Sequence, residues 1–356
     1  MTELIKRGIQ KLIDETNLTR VESQEIMKEI MSGKATDAQT SALLTALRIR
    51  GETVEEITAF AEIMKEYCHR IYPHAQGRLV DVVGTGGDKI KTFNISTTAA
   101  FVAAGAGVTV AKHGNRSVTS KSGSADVLER FGFNLNMEPE AVEKAIEQVG
   151  IGFMFAPTFH PAMKFAAGPR KEVGIRTIFN ILGPLTNPAG ANAQLIGVYD
   201  HALTESLAQV LKNLGCEEAM IVHGLDGLDE ISTVGKTSIS WLKENEIKTI
   251  ETVPKDFGVN LTRARCIEGT TPDENAEITF KILNGHCDID DPKTEIVLVN
   301  GAAAIILGAK AENFNEGMEL ARESIDSGNA HKKLKELVKT SNGDLSKLEG
   351  LELKYG

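Results

Sequence analysis

The chain of 356 residues carries 39 Lys+Arg against 49 Asp+Glu, a formal charge of −10, with 42% hydrophobic and 25% charged residues. That composition excludes a disordered chain, and the acidic balance speaks against a general binder of nucleic acid or anionic membrane, which needs a dominant basic face. At roughly 150 residues per domain the length suits two or three domains, or one domain with a substantial insertion.

Residues 1–6 lack the basic-then-apolar order of a signal peptide, and apolar runs such as 302–307 stop far short of the ~20 residues that span a bilayer. Cys68, Cys216, Cys266 and Cys287 form no CxxC pair, which fits free thiols and a cytoplasmic location. The first seventy residues predict short helices. Thr19-Arg20-Val21-Glu22, Thr36-Asp37-Ala38-Gln39 and Thr53-Val54-Glu55-Glu56 each set a hydroxyl three residues before Glu or Gln, the spacing of a capping box. Apolar side chains recur at helical period, as in Ile57, Phe60, Ala61 and Met64, and Gly33 and Gly51 punctuate the ends.

After Pro73 the pattern changes. Leu79-Val80-Asp81-Val82-Val83 is a β-rich run that ends in a glycine loop. An alanine-rich helix over 96–106 and a second β run over 108–111 complete a βαβ unit, so a largely parallel sheet is expected. Further strands are expected at 152–156, 195–198 and 219–222. Segment 161–182 interrupts them as a helix that Gly183-Pro184-Leu185-Thr186-Asn187-Pro188 ends. Residues 238–242 and 247–253 predict an antiparallel hairpin, and 294–307 and 315–327 return to helix. The expected fold class is α/β. A small all-helical domain over 1–72, with 161–185 packed on it, joins a larger domain over 73–160 and 186–356 built on a mainly parallel central sheet.

The chemistry gathers at the ends of the first two strands. Gly84-Thr85-Gly86-Gly87-Asp88 lets backbone N–H groups approach an anion, with a positive helix end downstream. It is not a Walker A loop, and Lys89 stands where a dinucleotide fingerprint has its third glycine, so alone it reads equally as a structural turn. Thr92, Asn94, Ser96, Thr97 and Thr98 crowd the next helix start, where one cap suffices, and the surplus favours an oxygen-rich ligand. Lys112-His113-Gly114-Asn115-Arg116-Ser117 and Ser122-Gly123-Ser124-Ala125-Asp126-Val127-Leu128 follow the second strand. Their Lys, Arg and hydroxyls suit a diphosphate clamp at the edge where open α/β sheets hold ligands. His113 alone reads more readily as a packed side chain.

In this order and spacing the motifs closely resemble those of the anthranilate phosphoribosyltransferase family. The likeness continues through Phe155-Ala156-Pro157, His160 to Lys164, Gly168-Pro169-Arg170, Arg176-Thr177, the Phe179 to Pro188 run and His223-Gly224-Leu225-Asp226-Gly227-Leu228-Asp229-Glu230. The resemblance implies a nucleoside phosphorylase/phosphoribosyltransferase-like fold and a homodimer through the helical domain. The implied reaction transfers a phosphoribosyl group from 5-phosphoribosyl 1-diphosphate (PRPP) to anthranilate with Mg2+, in tryptophan biosynthesis.

By motif position the resemblance assigns PRPP binding to Gly84, Gly87, Asp88, Thr92, Asn94, Ile95, Ser96, Thr97, Lys112, His113, Gly114, Asn115, Arg116, Ser117, Val118, Thr119, Ser120 and Ser124. It assigns anthranilate to Gly84, Asn115, His160 and Arg170, and Mg2+ to Ser96, Asp229 and Glu230. A guanidinium suits a planar carboxylate, although Arg170 also reads as a surface ion pair and His160 as a helix-start cap. Lys89 and Lys91 are expected to add phosphate affinity. No residue stands out as a general base, and an aromatic amine needs little activation, so positioning carries the reaction. Two other readings stay open: a pyrimidine nucleoside phosphorylase on the same fold, and a non-catalytic nucleic-acid-binding relative, against which the charge of −10 speaks.

Overall fold

The computed structural model describes residues 3–87, 89–117 and 122–355. The chain opens with α1 (Glu3–Ile13), α2 (Arg20–Met31), α3 (Asp37–Arg50) and α4 (Val54–Glu66). All three expected capping boxes form: Thr19, Thr36 and Thr53 accept from the N–H three residues on, and that residue's side chain reaches back to the cap N–H. Each box satisfies two of the donors that a helix start leaves open. Glu56 is fully buried and also accepts from the Leu18 N–H at 2.8 Å while pairing with Arg50, which ties the α1–α2 linker to α4.

Among the described residues seven strands follow: β1 (Leu79–Gly84), β2 (Thr109–Gly114), β3 (Ile151–Phe155), β4 (Ala193–Gly197), β5 (Glu218–Gly224), β6 (Thr237–Lys243) and β7 (Glu246–Thr252). They form one sheet in the order β3-β2-β1-β4-β5-β6-β7. The pairings from β3 through β5 are parallel, and β6 and β7 run antiparallel. The expected hairpin is β6–β7, closed by Glu244 (φ +51) and Asn245 (φ +62), a two-residue turn whose twist matches its strands.

Alternation along the strands sends Leu195, Met220 and Val222 to one face and Ile196, Ala219 and Ile221 to the other, so a core lies on each side. The first face is covered by α5 (Ile95–Gly105) and the helices Pro292–Leu307, Phe314–Asp326 and Asn329–Thr340. Wedged between strands and helices, α5 is buried from Thr97 through Ala104, which accounts for its apolar, alanine-rich sequence. The second face is covered by α4 and the helices Leu203–Asn213 and Phe179–Leu185.

Several expectations are corrected here. Segment 161–182 is not one helix: a 3-10 turn at Pro161–Met163 leads into helix Lys164–Val173, Gly174 ends it at φ +67, and a second helix, Phe179–Leu185, runs one residue past Pro184. A proline so close to the end of a helix removes a single hydrogen bond, too little to stop it earlier. The Lys164–Val173 helix packs against α3 and α2. Strand β2 runs three residues beyond 111 because Lys112, His113 and Gly114 pair with Phe153, Met154 and Phe155 of β3. Helices Pro272–Leu283 and Leu345–Tyr355, and Asn329–Thr340 named above, had no expectation at all.

The cleft is set by how β1 pairs with its two neighbours. β1 stays with β4 to its end, where Gly84 pairs with Gly197, but it pairs with β2 only at Leu79↔Thr109 and Val80↔Val110. Beyond that point the two strands part, and polar side chains take over their backbone groups. Asp81 accepts from the His113 N–H at 3.1 Å and from the Asn187 amide at 2.7 Å; that amide also donates to the Ala111 carbonyl at 2.8 Å, and Lys112 Nζ donates to the Val82 carbonyl at 2.5 Å. Backbone groups freed from a ladder must be paired this way if they are to stay buried.

Candidate active site

A cleft of about 630 Å3 opens where β1 and β2 part. Its sides come from the glycine loop, the start of α5, the end of β2, residues 122–124, Asp229 and Glu230, and the 156–186 segment. The sequence motifs, far apart in the chain, thus converge on one edge of the sheet.

The glycine loop is shaped by what surrounds it. A Cβ at Gly84 would lie 2.9 Å from Asp229 Oδ2, and Gly87 (φ +86) has no room for one against the Arg176 guanidinium, 2.3 Å away. Arg176 donates to the Gly87 carbonyl and stacks over Tyr199 at 4.2 Å, so it crosses from the 174–178 linker onto the loop. Asp229 accepts the Gly86 N–H at 3.1 Å, and Glu230 accepts the Ser96 N–H at 3.1 Å at the positive end of α5. Burial pushes the Asp229 carboxyl above the usual carboxylate range. Ser96, Asp229 and Glu230 are therefore close together, as the metal expectation needs. Among the described residues no cluster of three or more His, Cys, Asp or Glu side chains is able to hold a metal by itself.

Thr92, Asn94, Ile95, Ser96, Thr97, Lys112, His113, Gly114, Asn115, Arg116, Ser117 and Ser124 all line the cleft, as do Gly84 and Gly87. Asp88, Val118, Thr119 and Ser120 lie outside the described residues. Asn94 precedes α5, yet its side chain makes no cap bond. Its Oδ1 accepts from Ser122 Oγ (3.2 Å) and Asn275 Nδ2 (3.1 Å), and its own Nδ2 donates to the Ser122 carbonyl (3.3 Å). Lys112 is buried; desolvation lowers its pKa while Asp81 and Glu230 oppose the fall. Asp81 is pushed up to about 6 by burial, against the pull of Lys112.

Arg116 is already engaged. It bonds Asp126 (3.0 Å) and both oxygens of Glu129 (2.9 and 2.8 Å), so its guanidinium braces the loop against the Ser124–Arg130 helix. Lys89 and Lys91 do not line the cleft, and Lys89 packs on Gly227 instead. The expected phosphate contribution of these two lysines has no support in this geometry.

The other end of the cleft is formed by His160, Arg170, Phe179 and Asn180. Arg170 is half-buried, sits 5.3 Å over the Phe179 ring, and makes no ion pair among the described residues, so the surface-pair reading fails. His160 makes no cap bond either. His113 and His160 stand 5.0 Å apart, both buried, each with an Nε2 that has no partner among the described residues. Burial lowers them to about 3 and about 4, so both are neutral near pH 7. Their free ring nitrogens and the Arg170 guanidinium make an apolar-walled, weakly basic pocket, the kind of place that accepts a planar acid.

Arg176 and Asn180 lie inside the sequence motifs, but nothing in those motifs marks them for a role. Nothing local marks Asn275.

Comparison with known proteins agrees with this geometry. The helical bundle domain model of a glycosyl transferase family matches residues 6–68, and its a/b domain model matches residues 76–331. The anthranilate phosphoribosyltransferase of Acetivibrio thermocellus is 51% identical, over 96% of this chain and 98% of its own length. The enzyme of Methanocorpusculum labreanum is 50% identical, over 96% and 99%. Among solved structures, the anthranilate phosphoribosyltransferase of Thermus thermophilus superposes with a TM-score of 0.88 at 38% identity, covering 94% of this chain and 99% of that one. The Saccharomyces cerevisiae enzyme in complex with PRPP and Mg superposes equally well, at 0.88 and 30% identity, covering 96% and 99%.

Proposed function

The chain belongs to the anthranilate phosphoribosyltransferase family, and from that premise we propose that it transfers the phosphoribosyl group of PRPP to anthranilate, releasing diphosphate, in tryptophan biosynthesis. The observation that carries this is one cleft with two unlike ends. One is rich in backbone N–H groups and hydroxyls at a helix start; the other holds Arg170 and two neutral imidazoles beside an aromatic ring.

PRPP lies along the glycine loop and the start of α5, its diphosphate toward Lys112 and the carboxylate pair. Ser96, Asp229 and Glu230 suit Mg2+, because hard carboxylate oxygens in such number leave coordination positions for substrate phosphate. When bound with the diphosphate, Mg2+ neutralises charge on the departing oxygens. Backbone N–H groups at the loop and helix start stabilise the same oxygens as the C1–O bond breaks, and they are preoriented to do so. Arg170 pairs with the anthranilate carboxylate, and Asn115, Gly84 and His160 complete that end. The amine nitrogen bonds C1 as the C1–O bond to diphosphate breaks, inverting the carbon, and its proton then passes to the released diphosphate or to water. His113, whose Nδ1 donates to the Gly183 carbonyl, and His160 are neutral and present bare Nε2 acceptors, adding no positive charge beside the oxocarbenium-like carbon.

We take the domains to be 1–72 with 161–185, and 73–160 with 186–356. The chain acts in the cytoplasm as a homodimer through the helical domain, whose bundle exposes Ile13, Val21 and Ile49. The test is consumption of fluorescent anthranilate: loss of signal is expected only when PRPP and Mg2+ are both present. Thymidine phosphorolysis without PRPP use, or retention on DNA without turnover, defeats the proposal.

A further inference from the structure

The back of the phosphoribosyl loop is built by a stretch with no motif. Glu268 bridges Thr92, the Gly269 N–H donates to the Lys91 carbonyl at 2.9 Å, and a Cβ at Gly269 would sit 2.4 Å from the Phe93 nitrogen. This close-fitting segment delivers Asn275, on the helix Pro272–Leu283, to Asn94. Asn275 is buried and is not part of the cleft lining.

The direction of both amides is dictated by main-chain groups. Thr270 N–H, which only donates, points at Asn275 Oδ1 at 2.9 Å, so the other end of that amide, Nδ2, must face Asn94. An amide nitrogen only donates, so Asn94 turns its Oδ1 to Asn275, where Ser122 Oγ also reaches it. The Ser122 carbonyl, which only accepts, fixes Asn94 Nδ2 from the opposite side. One hydrogen of Asn94 Nδ2 is then left for a ligand of the cleft that this residue lines. Turned over, the same amide would offer the cleft an oxygen, which repels phosphate and accepts nothing from it.

We propose that Asn275 is a positioning residue: through the chain Thr270–Asn275–Asn94 it sets the amide of Asn94 with its donor toward PRPP. This rests on the phosphoribosyl-transfer reading above, and the test keeps the two separable. Steady-state constants for both substrates and melting temperatures are measured for the wild type, Asn275→Ala, Asn275→Leu and Asn275→Asp at pH 8 and pH 6. Ala and Leu leave the Asn94 amide held by Ser122 alone, and each raises KM for PRPP about tenfold while kcat and KM for anthranilate stay near wild type. Asp places an acceptor against Asn94 Oδ1 and forces the wrong orientation, so its KM for PRPP at pH 8 rises roughly tenfold beyond that of Ala. At pH 6 the Asp variant recovers toward the Ala value, because a buried carboxyl takes up a proton readily and then donates; the Ala variant lacks that pH response. An Asp variant no worse than Ala at pH 8, a Leu variant equal to wild type, or equal losses for both substrates overturns the inference while leaving wild-type turnover intact. If Asp prevents folding, the Leu result decides. A wild type that neither binds nor uses PRPP overturns the underlying reading instead.

Discussion

Arg170 is a half-buried cation whose environment gives it an aromatic face and no carboxylate among the described residues. Taking a guanidinium partly out of water costs free energy that a bound carboxylate recovers. Arg170→Ala therefore raises KM for anthranilate by about 30- to 150-fold, the worth of a charge-assisted hydrogen bond of about 2–3 kcal/mol, and leaves KM for PRPP unchanged. Arg170→Lys recovers only part, since an ammonium cannot bond both oxygens. The paired histidines give a second prediction. Held at about 3 and about 4 when folded, His113 and His160 stay neutral where the unfolded chain, near 6.5, has protonated them. The unfolded state then binds more protons, and stability falls as pH drops from 6.5 toward 4, by about 1.4 kcal/mol per pH unit for each imidazole once its unfolded form is protonated. Asp81 opposes this: held to about 6 against an ordinary 3.8, it keeps a proton in the fold that the unfolded chain has lost. Asp229, Glu52 and Glu295, also raised by burial, act in the same sense as Asp81, so the imidazole share is read by difference. Urea unfolding between pH 5 and 6.5 should show the net slope, and His113→Asn should remove one imidazole's share of it.

Among elements, the end of β4 carries the sharpest steric constraint near the cleft. A Cβ on Gly197 would lie 1.6 Å from the Asp229 carbonyl oxygen and 2.6 Å from its carbon, both backbone atoms. Gly197→Ala must displace the turn that carries Asp229 and Glu230. Overpacking of this kind costs about 1–3 kcal/mol of stability, and PRPP-dependent turnover should fall further than the melting temperature alone would explain. Local signals were legible in sequence: three capping boxes and the hairpin turn are set by neighbours within a few residues, and the βαβ run lies in one continuous segment. The parting of β1 and β2 was not, because the partner of Asp81 is Asn187, 106 positions away. Nor was the break at Gly174, hidden in a run that also holds Gly168 and Pro169. Gly197 looked like any glycine in an apolar strand, and only the approach of Asp229 gives it meaning. The glycine loop and the helix-start cluster were visible as an anion site, while the identity of the anion came from resemblance.

For the whole molecule, metal dependence should follow substrate. With no cluster of three ligating side chains among the described residues, Mg2+ alone should leave the melting temperature unchanged. PRPP with Mg2+ at about 100 times the dissociation constant should add about 2.7 kcal/mol, and EDTA should abolish both that gain and turnover. Scanning calorimetry with the four combinations checks this, and a large shift with Mg2+ alone would contradict it. The β6–β7 hairpin has a consequence of another kind. A seven-stranded sheet must end somewhere, and it ends on β7, where Glu246, Lys248, Thr249 and Glu251 stand in solvent. Alternating charges along an open border discourage another chain from adding to it, and so guard against amyloid-like stacking. Because that border lies three strands from β4, its tight tip is also a place where a peptide graft would leave catalysis untouched.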